Sequence, residues 1–353
     1  MAKAGLIFTT DYEIFGNGSG CVEKCMIEPT ERMASILEKY GATLTLFVDV
    51  CEYWAFEQEF ASGKLKKDWA GQIKAQLQDL AKRGHHIQLH FHPQWLDYSF
   101  DGKNWTLNYD LWRIGKLKYE DLEFPAKGLK NLFAKGKKTL EEIITPVKES
   151  YKCHIFRAGA WSMQPEKDVL KAMKENGFDI DSTVASGLSF QDEFTFYDFK
   201  NSPNDAYWKI DEDLNSISMN GKIKEIPIFT TEMPLSKKVK FLGLKKKKGI
   251  AMKPQGCVGT SLATAGKGRL AKLTEVLSEK RKMFTFGDAT SFEEMTYFAK
   301  RAVKRAKSFE KDIFPTVAIS HPKTFANERE LDSFLEWVSR NNKDIEFTNY
   351  NRI

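Results

Sequence analysis

The 353-residue sequence is 42% hydrophobic and 13% aromatic, enough apolar mass for a large buried core and too much for a disordered or fibrous chain. No apolar run approaches the roughly 20 residues needed to span a bilayer, and the apolar stretch after Met1 is too short for a secretory signal. The net charge of +6 is local: it gathers at Lys237, Lys238, Lys240 and Lys245 through Lys248, a solvated loop or a surface for phosphates or membrane, with no nucleic-acid motif beside it.

A first strand is predicted from Gly5 to about Asp11, followed by the glycine-rich loop Phe15–Gly20. Pro29 and Thr30 open a helix with Met33, Ile36 and Leu37 on one face. Residues 42–48 read as a buried strand. Asp68–Arg83 is an amphipathic helix closed by Gly84, and the next strand carries the histidines. The order β, α, β, α, β marks a parallel sheet with helices outside.

Residues of about 93–126 break this rhythm with Pro93, Trp95, Tyr98, Phe100, Trp105, Tyr109 and Trp112. Such an excursion either shapes a binding site or packs a small core of its own. With 26 Phe and 8 Trp in the chain, some rings are expected to line a groove for a flat ligand such as a sugar, Trp95 and Trp161 foremost. A helix over about 127–147 follows, then a strand through Cys153–Ala158. A helix begins at Pro165 and ends near Gly177, and Phe178–Val184 forms another strand. Residues of about 187–262 read as an irregular insertion within one domain spanning 1–353. Helices are predicted near 267–282 and 291–308, a core strand over 314–322, a helix over 327–340 and a short strand at 345–347. The five cysteines, Cys21, Cys25, Cys51, Cys153 and Cys257, are odd in number and scattered, which predicts no disulfide framework and a reducing cytoplasm.

Four of the six histidines lie within Gly84–Pro93. Alternation sends Ile87, Leu89 and Phe91 to one face and His86, Gln88, His90 and His92 to the other. Imidazoles two residues apart suit a metal ion. Other strand ends add polar groups: Asp11 and Glu13, two apart on strand one; Arg157; and His321. Singly, Asp11 can cap a turn, Arg157 can serve a structural ion pair, and His321 can simply end a strand. Together, at the convergent mouth of a parallel barrel, they make a site. Two histidines and a carboxylate leave a coordination position open, as in catalytic zinc sites.

These strand ends resemble the motifs of the polysaccharide deacetylase superfamily, the carbohydrate esterase group that includes chitin and peptidoglycan deacetylases. The resemblance runs from strand one to His321, outside 187–262, and implies a distorted (β/α) barrel with loop insertions. It implies Asp11 as general base, Glu13 as metal ligand in an Asp-x-Glu form of the first motif, and His90 and His92 as the other ligands. The commoner form spaces its histidines four apart, a place held here by Gln94. Phe156–Trp161 is similar to the third motif, with Gly159 where proline is usual; Arg157 then orients the base, and a backbone N–H near Ala160 serves the oxyanion. Asp181, in preference to Asp179, matches an aspartate that tunes the acid, and Ile319–Pro322 makes His321 that acid.

The implied activity is a metal-dependent N-deacylase acting on an acylated amino sugar, carried on a nucleotide or a lipid toward a surface polysaccharide. The ion would be Zn²⁺, with Fe²⁺, Co²⁺ or Ni²⁺ admitted by the same donors. The alternatives are an amidohydrolase for a small non-sugar amide, and an inactive carbohydrate-binding protein.

Overall fold

The computed structural model describes residues 2–260, 279–341 and 343–353. The α/β organisation expected of a distorted (β/α) barrel is what the chain adopts, as parallel strands alternate with helices. First come β1 (Lys3–Tyr12), α1 (Glu28–Glu38), β2 (Leu44–Asp49), α2 (Val50–Ala61), α3 (Trp69–Lys82), β3 (His86–Phe91) and α4 (Leu129–Ile144). β4 (Ile155–Ala158), α5 (Lys167–Glu175), β5 (Ile180–Asp181), β6 (Trp208–Ile210) and β7 (Ile223–Glu225) follow. Then come α6 (Leu235–Lys248), α7 (Phe292–Ala306), β8 (Ile313–Ser320), α8 (Glu328–Arg340) and β9 (Ile345–Phe347).

The chain divides into two compact units. The first takes Met1–Thr10, Ile14–Thr45 and Ile228–Ile353; the second takes Asp11–Glu13 and Leu46–Pro227. In the first unit β1 pairs in parallel with β8, from Lys3 opposite Ile313 to Thr10 opposite Ser320, and with β9 from Ala4 opposite Ile345. In the second unit the strand order is β6-β7-β5-β4-β3-β2, with β3, β4, β5 and β7 parallel neighbours and β6 antiparallel at the edge.

Local chemistry explains the boundaries. The Asp68 carboxylate accepts the Gly71 N–H at the start of α3, and Gly84 turns the chain out of it at φ +96°. Ser291 and Glu294 make a reciprocal capping box on α7. Gly136 lets α4 lie directly on β3: a Cβ there would meet the Phe91 ring at 2.8 Å and Leu89 Cδ1 at 2.9 Å. Leu89, Phe91, Phe133 and Phe156 are fully buried in that seam.

Several expectations need correction. Cys25 and Cys257 form a disulfide, with Cα atoms 5.0 Å apart and 232 residues between them in sequence; Cys21, Cys51 and Cys153 are free. The insertion carries an unforeseen helix, α6, on which the whole lysine cluster sits. Helix α2 was also hidden, because Val50–Phe60 continues the apolar run of β2 with no glycine or proline between them. The helix predicted near 267–282 lies outside the described residues as far as 278, and Arg281–Met283 is a strand antiparallel to Thr230–Glu232. No described helix is long and apolar enough to cross a membrane.

Candidate metal centre

Parallel register assembles the site in the second unit. His90 lies opposite Arg157, Phe156 opposite Asp181, and Asp181 opposite Glu225, so β3, β4, β5 and β7 deliver these residues in step. Along β1, Tyr12 turns away to donate its hydroxyl to Gln76 Oε1 at 2.7 Å, which leaves Asp11 and Glu13 on a common side. Ile87 through His92 are all buried, so the histidine face of β3 is not solvated.

Glu13, His90 and His92 each offer one donor atom, and these atoms lie within 4.8 Å of one another. Glu13 Oε2 is 3.3 Å from His90 Nε2 and 2.5 Å from His92 Nε2. His90 Nδ1 is 2.7 Å from the Arg157 carbonyl oxygen, which can only accept, so Nδ1 carries the proton. His90 Nε2 therefore presents a lone pair; it is buried, has no hydrogen-bond partner and faces a carboxylate oxygen. A neutral imidazole and a carboxylate turned toward each other in a dry site are where a cation would sit. The nitrogen, nitrogen and oxygen donors suit a borderline divalent ion, with the imidazole oriented by a backbone carbonyl as in many such sites.

His92 is held from three sides. Its N–H donates to Asp49 Oδ1 at 3.1 Å, Gln94 Nε2 lies 3.2 Å from its Nδ1, and the Trp112 ring sits 5.6 Å away, centroid to centroid. Gly159 closes the remaining side: a Cβ there would lie 2.3 Å from the Phe91 carbonyl oxygen and 2.9 Å from His92 Nδ1. Glycine stands where the resemblance expects proline because the turn crosses an imidazole at contact distance. Gly159→Ala should tilt His92 and weaken Zn²⁺ binding by about 10- to 100-fold. Calorimetric titration of metal-stripped protein reads this, and an unchanged affinity would show that the turn has slack. Just beyond, Ala160 and Trp161 are left-handed at φ 49° and 54°, a strained conformation for residues with a Cβ.

Arg157 is fully buried and spends its guanidinium on the site. Nη1 donates to Asp11 Oδ1 at 2.8 Å, Nε to the Ser182 carbonyl at 2.9 Å, and the group lies 4.1 Å from the Phe47 ring centroid. Asp181 accepts the Thr183 hydroxyl at 2.8 Å, and Glu225 accepts the Val184 N–H at 3.1 Å. Burial drives both carboxyl groups upward, Glu225 well above its ordinary 4.5, with the nearby Asp181 charge pushing the same way. Burial and mutual repulsion thus favour the protonated form at this pair.

Linkage gives this pair a sign. Glu225 binds its proton more tightly in the folded chain, so its stabilising share is complete below about pH 4.5 and is lost as pH rises through the elevated folded value. Glu225→Gln, which keeps the shape and drops the proton, should flatten that loss. Urea midpoints compared at acid and alkaline pH test it; an equal slope for both proteins would mean that Glu225 is ionised when folded.

The predicted residues fall into two groups. Asp11, Glu13, His90, His92, Arg157, Asp181 and Trp161 all belong to the second unit. His321 belongs to the first, where Asp288 Oδ2 lies 3.4 Å from its Nδ1 and the Thr324 hydroxyl donates to the other Asp288 oxygen. The carboxylate beside His321 is thus Asp288, which the sequence reading did not single out. Trp95 is 2% exposed and packs edge-on against Phe56 and Trp105, at 5.6 and 5.1 Å. That part of the excursion makes a core of its own, and Trp112 is the ring it extends to the site. Asp49 and Glu225 were also missed. Asp49, pushed up to about 7 by burial, ends a buried strand as Asp11 does, so its position was a usable signal. Glu225 sits in a short, irregular stretch that carries none.

No family model matches the sequence, and no curated protein does. A Mycobacterium smegmatis protein assigned to the polysaccharide deacetylases is 13% identical, covering 99% of this chain and 88% of its own, with a TM-score of 0.45. A polysaccharide deacetylase of Bacillus cereus is 10% identical, covering 99% of this chain and 92% of its own, at 0.39. A 4-alpha-glucanotransferase of Thermococcus litoralis is 12% identical, covering 100% of this chain and 40% of its own, at 0.48. Likenesses this distant carry no argument about chemistry, which rests on the side chains themselves.

Proposed function

We propose that this chain is a metal-dependent amide hydrolase that removes an acyl group, most simply acetyl, from an N-acylated amino sugar. A sugar carried on a nucleotide or a lipid toward a surface polysaccharide is the substrate class. The buried Glu13–His90–His92 donor set, beside an Asp11 held by Arg157, carries this reading. When bound there, a divalent ion, Zn²⁺ before Fe²⁺, Co²⁺ or Ni²⁺, supplies Lewis acidity and lowers the pKa of water to roughly 7.

Asp11, held by Arg157 through one carboxylate oxygen, takes the proton of the attacking water. A backbone N–H near Ala160 stabilises the developing oxyanion, and the strained turn keeps that donor in place before substrate arrives. His321, positioned by Asp288, is the proton donor to the departing amine. Asp181, the candidate residue for tuning the acid, and Glu225 beside it both feel the Arg157 charge.

The test is a panel of N-acylated nucleotide sugars and lipid-linked glycans incubated with the protein, with and without chelator, and assayed for released carboxylic acid. Chelator-sensitive release from any of them supports the reading, and no release from the whole panel counts against it. A second reading, hydrolysis of a small non-sugar amide, is favoured by one observation. Trp95, a ring expected to stack on sugar, is committed to packing. Short-chain amides and ureides added to the panel separate the two.

A further inference from the structure

α6 (Leu235–Lys248) has seven lysines and no acidic residue. Three of the lysines turn inward: Lys238 donates to the Glu279 carbonyl, Lys245 pairs with Glu294 at 2.7 Å, and Lys248 with Glu293 and Glu330 at 3.0 and 2.8 Å. With Phe241, 5% exposed, they dock the helix. The other four, Lys237, Lys240, Lys246 and Lys247, are exposed and make no ion pair with any described residue.

The outer face is not simply charged. Leu235, Val239 and Leu242 are 58%, 56% and 36% exposed. At about 100° per residue they fall in a sector of roughly 60°, with Lys246 continuing the line one turn on and Lys240 and Lys247 along its flank. Beyond the left-handed cap at Gly249, Met252 adds another large apolar side chain, 70% exposed. A solvated lysine helix has no use for such a stripe. An apolar stripe flanked by long cationic side chains, on a helix that itself has no acidic residue, is the pattern of a helix lying in a membrane interface.

We infer that α6 is a peripheral membrane-docking surface whose partner is an anionic phospholipid bilayer, with Leu235, Val239 and Leu242 entering the interface and Lys240, Lys246 and Lys247 meeting lipid phosphates. The inference does not depend on the proposed hydrolase activity.

The experiment is flotation of the full-length protein with vesicles of phosphatidylcholine alone, or mixed with phosphatidylglycerol, at low and physiological salt. Two variants accompany the parent: Val239→Ser with Leu242→Ser, and Lys240, Lys246 and Lys247 all changed to Gln. These side chains are exposed, and unchanged thermal melts confirm that both variants fold. Wild-type protein should float with the mixed vesicles and not with the neutral ones. Each variant should lower the partition at least about tenfold. No flotation of wild-type protein at low salt overturns the proposal, as does equal flotation of the serine variant, which would leave only diffuse electrostatic adsorption. Concentration-dependent self-association, abolished by the serine pair with no vesicle binding, overturns it in favour of a second copy of the chain.

Discussion

Changing His90 to alanine is expected to yield a folded protein that holds no stoichiometric divalent ion and has lost at least about a thousandfold in kcat/KM. His90 is the donor with the least freedom to be anything else. Its ring is 0% exposed, its Nδ1 proton is committed to the Arg157 carbonyl, and its Nε2 lone pair has no protein donor to accept from. Alanine leaves Glu13 and His92 as a two-donor site, too few to hold an ion against competing chelators at working concentrations. Elemental analysis of protein purified without added metal, alongside the rate on any substrate found, checks both halves. A His90→Ala protein that retains full metal content would falsify the donor set. His86, on the same strand, is the control: its ring is outside the donor set, and His86→Ala should keep the metal.

Arg157 carries the second large effect. Replacing it with methionine keeps the bulk and removes the charge, leaving Asp11 buried and unpaired. Two further buried carboxyl groups, Asp181 and Glu225, then also lose their nearby cation. Breaking a buried pair from one side costs about 3–5 kcal/mol, here in a strand at the centre of the second unit. Chemical denaturation should show a loss of that order, with catalysis falling further because the base is no longer aimed. Asp11→Asn separates the two roles: the amide still accepts from Arg157, so stability should hold within about 1 kcal/mol while turnover collapses and metal is retained. Equal destabilisation by both variants would mean that Asp11 is structural and that the base lies elsewhere.

Much of this was legible from strand ends. Asp11, Glu13, His90, Arg157 and His321 all stand where an apolar strand gives out, and alternation alone placed Asp11 and Glu13 on one side. What stayed hidden was of two kinds. Glu225 and Asp288 come from short, irregular segments whose partners are set by long-range pairing, and no local pattern announces that. Trp95 was read as a sugar platform because aromatic residues in a loop serve packing and binding with the same composition; only the neighbouring Phe56 and Trp105 tell the two apart. The Cys25–Cys257 disulfide escaped for a similar reason, since spacing says nothing of two cysteines 232 residues apart. The lysine cluster looked like loop because lysine runs are common in loops, and the apolar stripe that makes it a helix shows at i, i+4 and i+7.

The division of β1 between two units has a consequence for how damage spreads. Lys3–Thr10 is registered against β8, while the next three residues supply a candidate ligand and the candidate base to a unit that is otherwise one continuous stretch. Sliding that register by a single position would invert which side chains point where along the whole strand, carrying Asp11 and Glu13 off their face. A lesion confined to the β1–β8 seam can therefore present as a protein unable to retain its ion, with every imidazole intact, and peptide 46–227 made by itself would be a histidine pair without its carboxylate.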